Sequence, residues 1–302
     1  MTSLIEQAAQ RLEQLRQAGV DLPDTPPLSP AADTDRKPLV EAQASARSRR
    51  VEISLEALSA AGIVSPNAPR SRIADQFRVI KRPLISNAMG KGASLIRKGN
   101  LIMVTSALPG EGKTFTAINL AMSMATELDY TVMLVDADVG QPSVMGVLGL
   151  STGPGLLDLV LDESKDMSDM LMKTNVDKLT LLPSGTPHPR ATELLASDAM
   201  VRLLDEMATR YADRIIIFDS PPLLLATESR VLASHMGQIV MVVQAQKTLQ
   251  SDVAQALAMI EACPVKLMLL NQMRALVKGA SERGDGYGYG YGPGYGYEQQ
   301  HA

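Results

Sequence analysis

Six short, uniformly apolar segments recur along the chain, and they restrict the folds it can adopt more than any other feature. They span residues 101–105, 131–135, 179–182, 214–218, 239–243 and 266–270. Amphipathic stretches of helical length lie between most of them, at 113–128, 191–210, 227–236 and 248–262. Strands that are apolar on both faces and alternate with helices are typical of a parallel sheet covered on both sides. The sequence therefore predicts a three-layer, doubly wound α/β domain with a mainly parallel sheet.

The composition excludes several classes of protein. The 302 residues are 45% hydrophobic and 21% charged with a net charge of -4, so no basic excess indicates nucleic acid as a partner. Cys263 is the single cysteine, which excludes an internal disulfide framework. The N-terminus lacks a signal peptide pattern, and no segment reaches the roughly eighteen apolar residues of a membrane-spanning helix. We expect a cytoplasmic protein that a partner recruits to the inner face of the membrane.

Four regions follow from the pattern of apolar, proline and glycine residues. Residues 1–20 predict an amphipathic helix that docks on a partner or packs on its own domain; its apolar positions are Leu4, Ile5, Ala8, Leu12 and Leu15. Residues 21–70 predict a proline-rich linker that contains a short helix at 54–62. The α/β pattern occupies 71–275, and 276–302 is a tail of glycine, tyrosine and polar residues.

The tail holds five of the seven tyrosines of the chain, at Tyr287, Tyr289, Tyr291, Tyr295 and Tyr297. Alternating tyrosine and glycine cannot build a packed core, because glycine loses the most backbone entropy on ordering and no aliphatic side chains are present. The tail is therefore predicted to be disordered. On its own, it is interpreted either as a sticky low-complexity segment or as a substrate.

A phosphate-binding loop is predicted directly after the first of the six apolar segments. Residues 106–114 match the pattern G-x-x-x-x-G-K-[ST] except that Ala107 replaces its first glycine. Glycines allow backbone N–H groups to surround an anion, and the N-terminus of the following helix adds partial positive charge. The predicted nucleotide-binding residues of the loop are Pro109, Gly110, Glu111, Gly112, Lys113, Thr114 and Phe115. Lys113 is expected to reach the β- and γ-phosphates, and the Thr114 hydroxyl to bind Mg²⁺.

Carboxylates follow two further apolar segments. Asp136 and Asp138 end the segment at 131–135, and their i, i+2 spacing points both side chains the same way on an extended backbone. Asp219 ends the segment at 214–218, as in a Walker B site. The carboxyl ends of parallel strands face the ligand crevice, so these three aspartates and Thr114 are the predicted Mg²⁺ site. Lys113, Asp136 and Asp138 are the predicted catalytic residues.

These motifs, in this order, resemble those of the bacterial tyrosine kinases. The resemblance rests on S-x-x-P-G-E-G-K-T at 106–114, V-D-A-D at 135–138 and I-I-F-D-S-P-P at 216–222, and it covers about 73–275 plus the tail. The family consists of P-loop NTPases related to partition ATPases, and it phosphorylates a C-terminal tyrosine cluster on a neighbouring subunit. The resemblance implies ATP and Mg²⁺ as cofactors, Asp136 as the residue that activates tyrosine, and the five tail tyrosines as phosphoacceptors. It also implies that Asn271 lies near the adenine.

Two further stretches imply partners. The helix containing Asp75, Arg78, Lys81 and Arg82 resembles the family's subunit-interface motif, which promotes ring assembly and implies a homo-oligomer that can form a ring. The stretch at 190–197 and the N-terminal helix resemble the subgroup encoded with exosortase and exopolysaccharide loci. In that subgroup the kinase is a separate chain, and its membrane-spanning partner resembles a polysaccharide chain-length determinant. Such systems also allow a cognate tyrosine phosphatase.

The sequence departs from the family pattern at three positions. Gln141 stands where an arginine often follows the Asp-x-Asp motif, and it cannot replace that charge. Asp75 and Lys81 stand where glutamate and arginine are usual. Two rival functions remain: a partition-type ATPase that acts as a nucleotide switch, and a scaffold that binds nucleotide without turning it over. Partition-type ATPases usually carry a second lysine early in the loop, which 107–109 lacks, and have no reason to carry a tyrosine cluster.

Overall fold

The computed structural model describes residues 48–66, 71–92, 94–210 and 213–273. The predicted N-terminal helix, most of the predicted linker and the tail with its five tyrosines lie outside these residues. Within them, no helix is both long and apolar enough to cross a membrane.

Within the described residues, eight strands form one sheet in the order β1-β4-β5-β3-β6-β2-β7-β8. Every neighbouring pair is parallel except β4 and β5, which are antiparallel. The strands are β1 (Arg49–Arg50), β2 (Leu101–Ser106), β3 (Thr131–Asp136), β4 (Met172–Lys173), β5 (Leu179–Leu182), β6 (Arg214–Asp219), β7 (Gln238–Gln244) and β8 (Val265–Asn271).

Helices connect the strands. In chain order they are α1 (Leu55–Ala60), α2 (Arg72–Ala88), α3 (Lys113–Ala125), α4 (Val144–Val147), α5 (Leu156–Leu161), α6 (Met167–Met170), α7 (Ala191–Leu195), α8 (Asp198–Arg210), α9 (Thr227–Ala233) and α10 (Gln250–Ala258). Helices α1 to α3 contribute to one hydrophobic cluster, and α5 and α7 to α10 contribute to the other.

The two hydrophobic clusters lie on opposite faces of the sheet. Successive residues of β6 alternate between them: Ile216 and Phe218 belong to one cluster, and Ile215 and Ile217 belong to the other. All four side chains are fully buried. Burial on both faces explains why the strand segments are uniformly apolar, because a strand with one solvated face would alternate polar and apolar residues. The predicted three-layer α/β fold with a mainly parallel sheet is confirmed.

All six predicted strands are present, most of them one residue longer at one or both ends. The predicted helix at 191–210 is divided into α7 and α8, because the Ser197 hydroxyl accepts a hydrogen bond of 3.3 Å from the Met200 N–H and caps the second helix. The short helices α4, α5 and α6 were not predicted. Each has four to six residues, which is too short for helical periodicity to show in the sequence.

The sequence predicts that the folded domain begins at residue 71, but the structure includes earlier residues in it. Helix α1 occurs where the sequence predicts it, but the stretch around it is packed rather than free. Ile53, Leu58 and Ile63 are almost completely buried in the cluster that also contains α3. The Asn175 side chain accepts a hydrogen bond from the Ile53 N–H (2.9 Å) and donates one to the Ile53 carbonyl (3.0 Å). Residues 48–66 are therefore part of the domain, although proline-rich sequence lies on both sides of them.

Replacement of Ile53 by alanine tests this assignment. Removing a fully buried side chain leaves a cavity, so we expect the free energy of unfolding to fall by about 2–5 kcal/mol in urea titrations. Leu128→Ala is the matched control, because Leu128 is 85% exposed and its loss should change stability by less than about 0.5 kcal/mol. Equal stabilities of the Ile53→Ala and Leu128→Ala proteins would show that residues 48–66 do not belong to the core.

Candidate active site

The carboxyl ends of β3, β6 and β2 lie side by side at one edge of the sheet. Strand β6 lies between the other two, and Asp219 at its end is in register with Asp136 of β3 and Val104 of β2. The loop after β2 contains the predicted phosphate-binding residues. The fold therefore brings together the three sequence motifs, which are separated along the chain by up to about a hundred residues.

The phosphate-binding loop requires glycine at two positions. Gly110 and Gly112 have φ angles of 80° and 92°, in the left-handed region that other residues rarely adopt. Lys113 begins helix α3 directly after Gly112, and no side chain caps the first N–H groups of this helix. Uncapped N–H groups at the start of a thirteen-residue helix form an anion site.

Side chains from the end of β8 hold the loop in place. The Asn271 side-chain amide donates a hydrogen bond of 2.9 Å to the Glu111 carbonyl, and the Gln272 side-chain amide donates one of 2.9 Å to the Gly110 carbonyl. A Cβ atom at Gly112 would lie 2.2 Å from Asn271 Nδ2, so this close approach also requires glycine. Asn271 was expected beside the adenine, and the structure places it against the phosphate-binding loop.

The Glu111 side chain also holds the loop, from inside. It is almost completely buried, and its Oε2 atom accepts a hydrogen bond of 2.8 Å from the Leu108 N–H. Its Oε1 atom accepts a hydrogen bond from the Thr248 hydroxyl in the loop after β7. Both carboxylate oxygens of Glu111 therefore accept hydrogen bonds within the protein, and only its main chain is available to a phosphate.

Lys113 and Asp138 form an ion pair in this structure. Lys113 Nζ lies 2.9 Å from Asp138 Oδ2, and both side chains are largely buried. Asp138 Oδ1 also accepts a hydrogen bond of 3.1 Å from the Gln141 N–H. Asp138 was predicted to bind metal, but here it neutralises the loop lysine. Gln141 contacts Asp138 through its main-chain N–H group and not through its side chain.

The other two aspartates are buried without full hydrogen bonding. Asp136 Oδ2 accepts a hydrogen bond of 3.1 Å from the Val144 N–H, but Asp136 Oδ1 has no partner. Neither carboxylate oxygen of Asp219 meets hydrogen-bond geometry with a described residue. Both side chains are fully buried. A charged carboxylate in this position is costly unless a cation or a proton reaches it.

Burial raises the pKa of both groups. Desolvation raises the pKa of Asp136 to about 6, opposed by the hydrogen bond from Val144. Desolvation raises the pKa of Asp219 to about 7, opposed by the charge of Lys113 and by the nearby Thr114 hydroxyl. Both carboxylates would therefore gain from a nearby cation more than an exposed carboxylate would.

The arrangement fits Mg²⁺ bound together with phosphates. Among the described residues, no three His, Cys, Asp or Glu side chains form a ready-made metal cage. Mg²⁺ usually takes one or two carboxylates and completes its coordination with phosphate oxygens and water. Among the described residues, Asp136 and Asp219 offer three oxygens without a hydrogen-bond partner, and the Thr114 hydroxyl in the first turn of α3 lies 3.0 Å from the Ser143 hydroxyl directly before α4.

The remaining predicted nucleotide-binding residues have simpler positions. Pro109 is exposed at the tip of the loop. The Phe115 side chain packs against the hydrophobic cluster beneath α3, so only its backbone is near the loop.

The predicted interface residues occupy helix α2. Asp75 and Arg78 form an ion pair of 2.8 Å with both side chains more than half exposed, and Arg82 is 63% exposed. Lys81 was expected to contact a partner subunit, but its side chain is buried within its own chain. Its Nζ atom lies 2.8 Å from Glu127 and donates to the Ser123 carbonyl at the end of α3. Lys81 therefore stabilises the carboxyl end of the phosphate-loop helix within its own chain.

Sequence reasoning missed three polar residues near the site: Ser143, Thr248 and Gln272. Each lies in a connection after a strand, and none belongs to a motif. The only available signal was their position a few residues beyond a carboxyl strand end, which many other residues share.

The chain is similar to proteins of known family. An AAA domain family model matches residues 99–272. The tyrosine-protein kinase YwqD of Bacillus subtilis is 32% identical over 206 residues, 68% of this chain and 83% of the relative. The putative tyrosine-protein kinase CapB of Staphylococcus aureus is 28% identical over 208 residues, 68% of this chain and 86% of the relative. A crystal structure of the chimerical protein CapA2B2 superposes with a TM-score of 0.57 at 27% identity, covering 70% of this chain and 97% of that one. The chain therefore belongs to the bacterial tyrosine-protein kinases, and its core is an AAA domain.

Proposed function

We propose that this protein is an ATP-dependent tyrosine autokinase whose substrates are the five tyrosines of its own C-terminal tail, phosphorylated in trans by a neighbouring copy. The observation that carries the proposal is the pair of buried aspartates, Asp136 and Asp219, with partnerless oxygens beside a phosphate-binding loop. A site of this kind supplies cation and phosphate binding, and the tail supplies hydroxyl groups that can accept a phosphoryl group.

The residues of the chain divide the work of phosphoryl transfer. Mg²⁺·ATP, when bound, supplies the γ-phosphoryl group. The uncapped N–H groups of α3 and Lys113 would hold the phosphates, and Lys113 would exchange its contact with Asp138 for a phosphate oxygen. Thr114 and Asp219 would hold Mg²⁺, and Asp136 would lie beside it. Asp138, once released, would lie at the edge of the site as a further carboxylate.

Asp136 is also the proposed acceptor of the tyrosine proton. Its Oδ1 atom has no hydrogen-bond partner among the described residues, so it can accept a proton from a phenol that lies beside the metal. The phenol proton would move to Asp136 Oδ1 as the phenol oxygen forms its bond to phosphorus. The bond between the γ-phosphorus and the bridging oxygen would break, ADP would leave with that oxygen, and the proton would pass from Asp136 to solvent.

The alternative is a partition-type ATPase that works as a nucleotide switch. Such an enzyme would use the same loop and aspartates but would transfer the phosphoryl group to water. Residues 107–109 carry no second lysine, and five tail tyrosines have no role in that mechanism. Both points favour the kinase.

The exposed charges of α2 support assembly between copies. Asp75, Arg78 and Arg82 are available to a neighbour, whereas Lys81 holds the carboxyl end of α3. We propose that α2 places the tail of one copy at the site of the next in a homo-oligomer, which can close as a ring. We further propose that a membrane-spanning partner similar to polysaccharide chain-length determinants recruits the assembly. Cycles of phosphorylation, reversed by a phosphatase, would then regulate exopolysaccharide synthesis, chain length or export.

A mixing experiment tests both the kinase and the trans reaction. One full-length chain carries Lys113→Met and keeps its tyrosines, and the other keeps Lys113 but has all five tail tyrosines changed to Phe. After incubation with Mg²⁺·ATP, we expect phosphotyrosine on the tail of the Lys113→Met chain, mapped by peptide mass spectrometry. Lys113→Met alone should label at least about 100-fold more slowly than the wild type, because it loses the charge that stabilises the transferring group.

Two outcomes would contradict this account. Released phosphate without tail phosphotyrosine in the wild type would favour the ATPase. Labelling of the wild type but not of the mixture would restrict transfer to a chain's own tail.

The assembly state supplies a separate prediction. Each phosphate adds close to two negative charges, so phosphorylated tails should repel one another at subunit contacts. We expect light scattering to show that Mg²⁺·ATP reduces the mass of the wild-type assembly but not that of the variant with five Phe substitutions. If the two proteins assemble and dissociate alike, charge on the tail does not control assembly.

A further inference from the structure

Strand β8 is a free edge of the sheet. It pairs with β7 on one side, and no strand within the described ranges pairs with its other side. Its seven residues therefore present a row of unpaired main-chain N–H and C=O groups. A long edge of this kind binds extended peptides unless it is covered or made charged.

An apolar groove runs beside this edge. Met268 and Leu270 point to the same face of β8, and they are 56% and 58% exposed. Val253 and Leu257 of helix α10 form the opposite wall, and the groove encloses about 360 Å³. The edge and the groove together offer main-chain pairing and a place for alternate side chains of an added strand.

The tail contains a segment with the matching period. Tyr287, Tyr289 and Tyr291 recur every second residue, so an extended backbone would place all three rings on one face and only glycine on the other. The three tyrosines span five residues, and Pro293, which cannot donate a main-chain hydrogen bond, would end pairing shortly after them. The exposed residues Lys266, Met268 and Leu270 of β8 also span five residues, and the Lys266 ammonium group donates hydrogen bonds to the Glu261 and Cys263 carbonyls at 3.2 and 2.7 Å. The predicted N-terminal helix has the apolar period of a helix, so it does not match the two-residue period that an added strand requires.

We propose that residues 287–291 add to the free edge of β8 in the same chain, with their three tyrosine rings in the groove beside Met268 and Leu270. The described residues end at Met273, just after the carboxyl end of β8, and thirteen residues separate Met273 from Tyr287. That length spans up to about 45 Å, enough to turn back and run antiparallel to the strand. Tyrosine beside methionine and leucine is a favourable cross-strand combination.

The docking itself does not depend on the proposed kinase function. Its consequence for phosphorylation does rest on that function. Asn271 and Gln272 join the end of β8 to the phosphate-binding loop, so a docked tail is stored next to the active site of its own chain. Alternating glycine weakens the added strand, which suits a substrate that must leave to be phosphorylated. Docked hydroxyls would be withheld from neighbouring copies until the tail is released.

Hydrogen exchange of the full-length protein without ATP tests the docking. We compare the wild type with a variant in which Tyr287, Tyr289 and Tyr291 are changed to Ser, and with the corresponding Phe variant. We expect the β8 peptide of the wild type to exchange roughly tenfold more slowly than that of the Ser variant, the size expected for three cross-strand aromatic pairs. The Phe variant keeps the rings and should match the wild type.

A reciprocal measurement follows exchange in the tail peptide. Met268→Lys combined with Leu270→Lys should speed exchange at 288–291, and these exposed positions should tolerate the change without unfolding. Leu128→Lys, at an 85% exposed position elsewhere, is the matched control and should leave tail exchange unchanged. Equal β8 exchange in the wild type and the Ser variant would overturn the docking. Protection that rises with protein concentration would overturn docking within one chain and assign the groove to the tail of a second copy.

The same proteins separate this proposal from the kinase function. Exchange is measured without ATP, and phosphotyrosine is measured with it. Protection of β8 without tail phosphorylation would support the docking while refuting the autokinase, and tail phosphorylation without protection would refute the docking alone.

Discussion

Two carboxylates buried side by side without enough partners are the constraint on which the rest of the site depends. Asp136 and Asp219 end adjacent parallel strands in register, so the sheet fixes their separation and leaves neither side chain exposed to solvent. Desolvation raises the pKa of both, so ionising these carboxylates without a nearby cation costs free energy that the stability of the sheet must offset. A cation that binds together with phosphates removes that penalty, and its removal contributes to the free energy of binding.

Helix α3 joins this site to the surfaces that other copies or the tail would contact. Its amino end follows the loop that Asn271 and Gln272 hold from the end of β8, close to where the tail begins. Its carboxyl end is held by Lys81 from α2, the helix with exposed charges. Helix α3 therefore lies between the phosphate-binding loop, which the end of β8 holds, and the proposed assembly surface on α2. If α2 moved in an assembly, α3 would transmit that movement to the phosphate-binding loop.

The sequence predicted the sheet and the position of the site because both leave local signals. Strands buried on two faces read as short apolar runs, and Lys113, Asp136 and Asp219 follow those runs directly. Contacts between distant segments could not be predicted. Nothing local shows that Lys81 turns inward to α3, that Asp138 pairs with Lys113, or that the chain around Ile53 packs into the core. Each depends on which side chains meet after the sheet has formed.

The most direct test of the unpaired carboxylates compares two aspartates by unfolding at pH 8, with and without Mg²⁺·ATP. Asp158 is also buried, but the N–H groups of Gly155 and Thr186 satisfy it at 2.8 and 2.9 Å. Asp158→Asn should lower the free energy of unfolding by about 1–3 kcal/mol, because it loses these charge-assisted hydrogen bonds, and should keep stabilisation by Mg²⁺·ATP. Asp219→Asn should raise the stability of the free protein by about 1–3 kcal/mol and lose most of the stabilisation by Mg²⁺·ATP. If Asp219→Asn destabilises the free protein as much as Asp158→Asn does, and Mg²⁺·ATP still stabilises it fully, the account is contradicted.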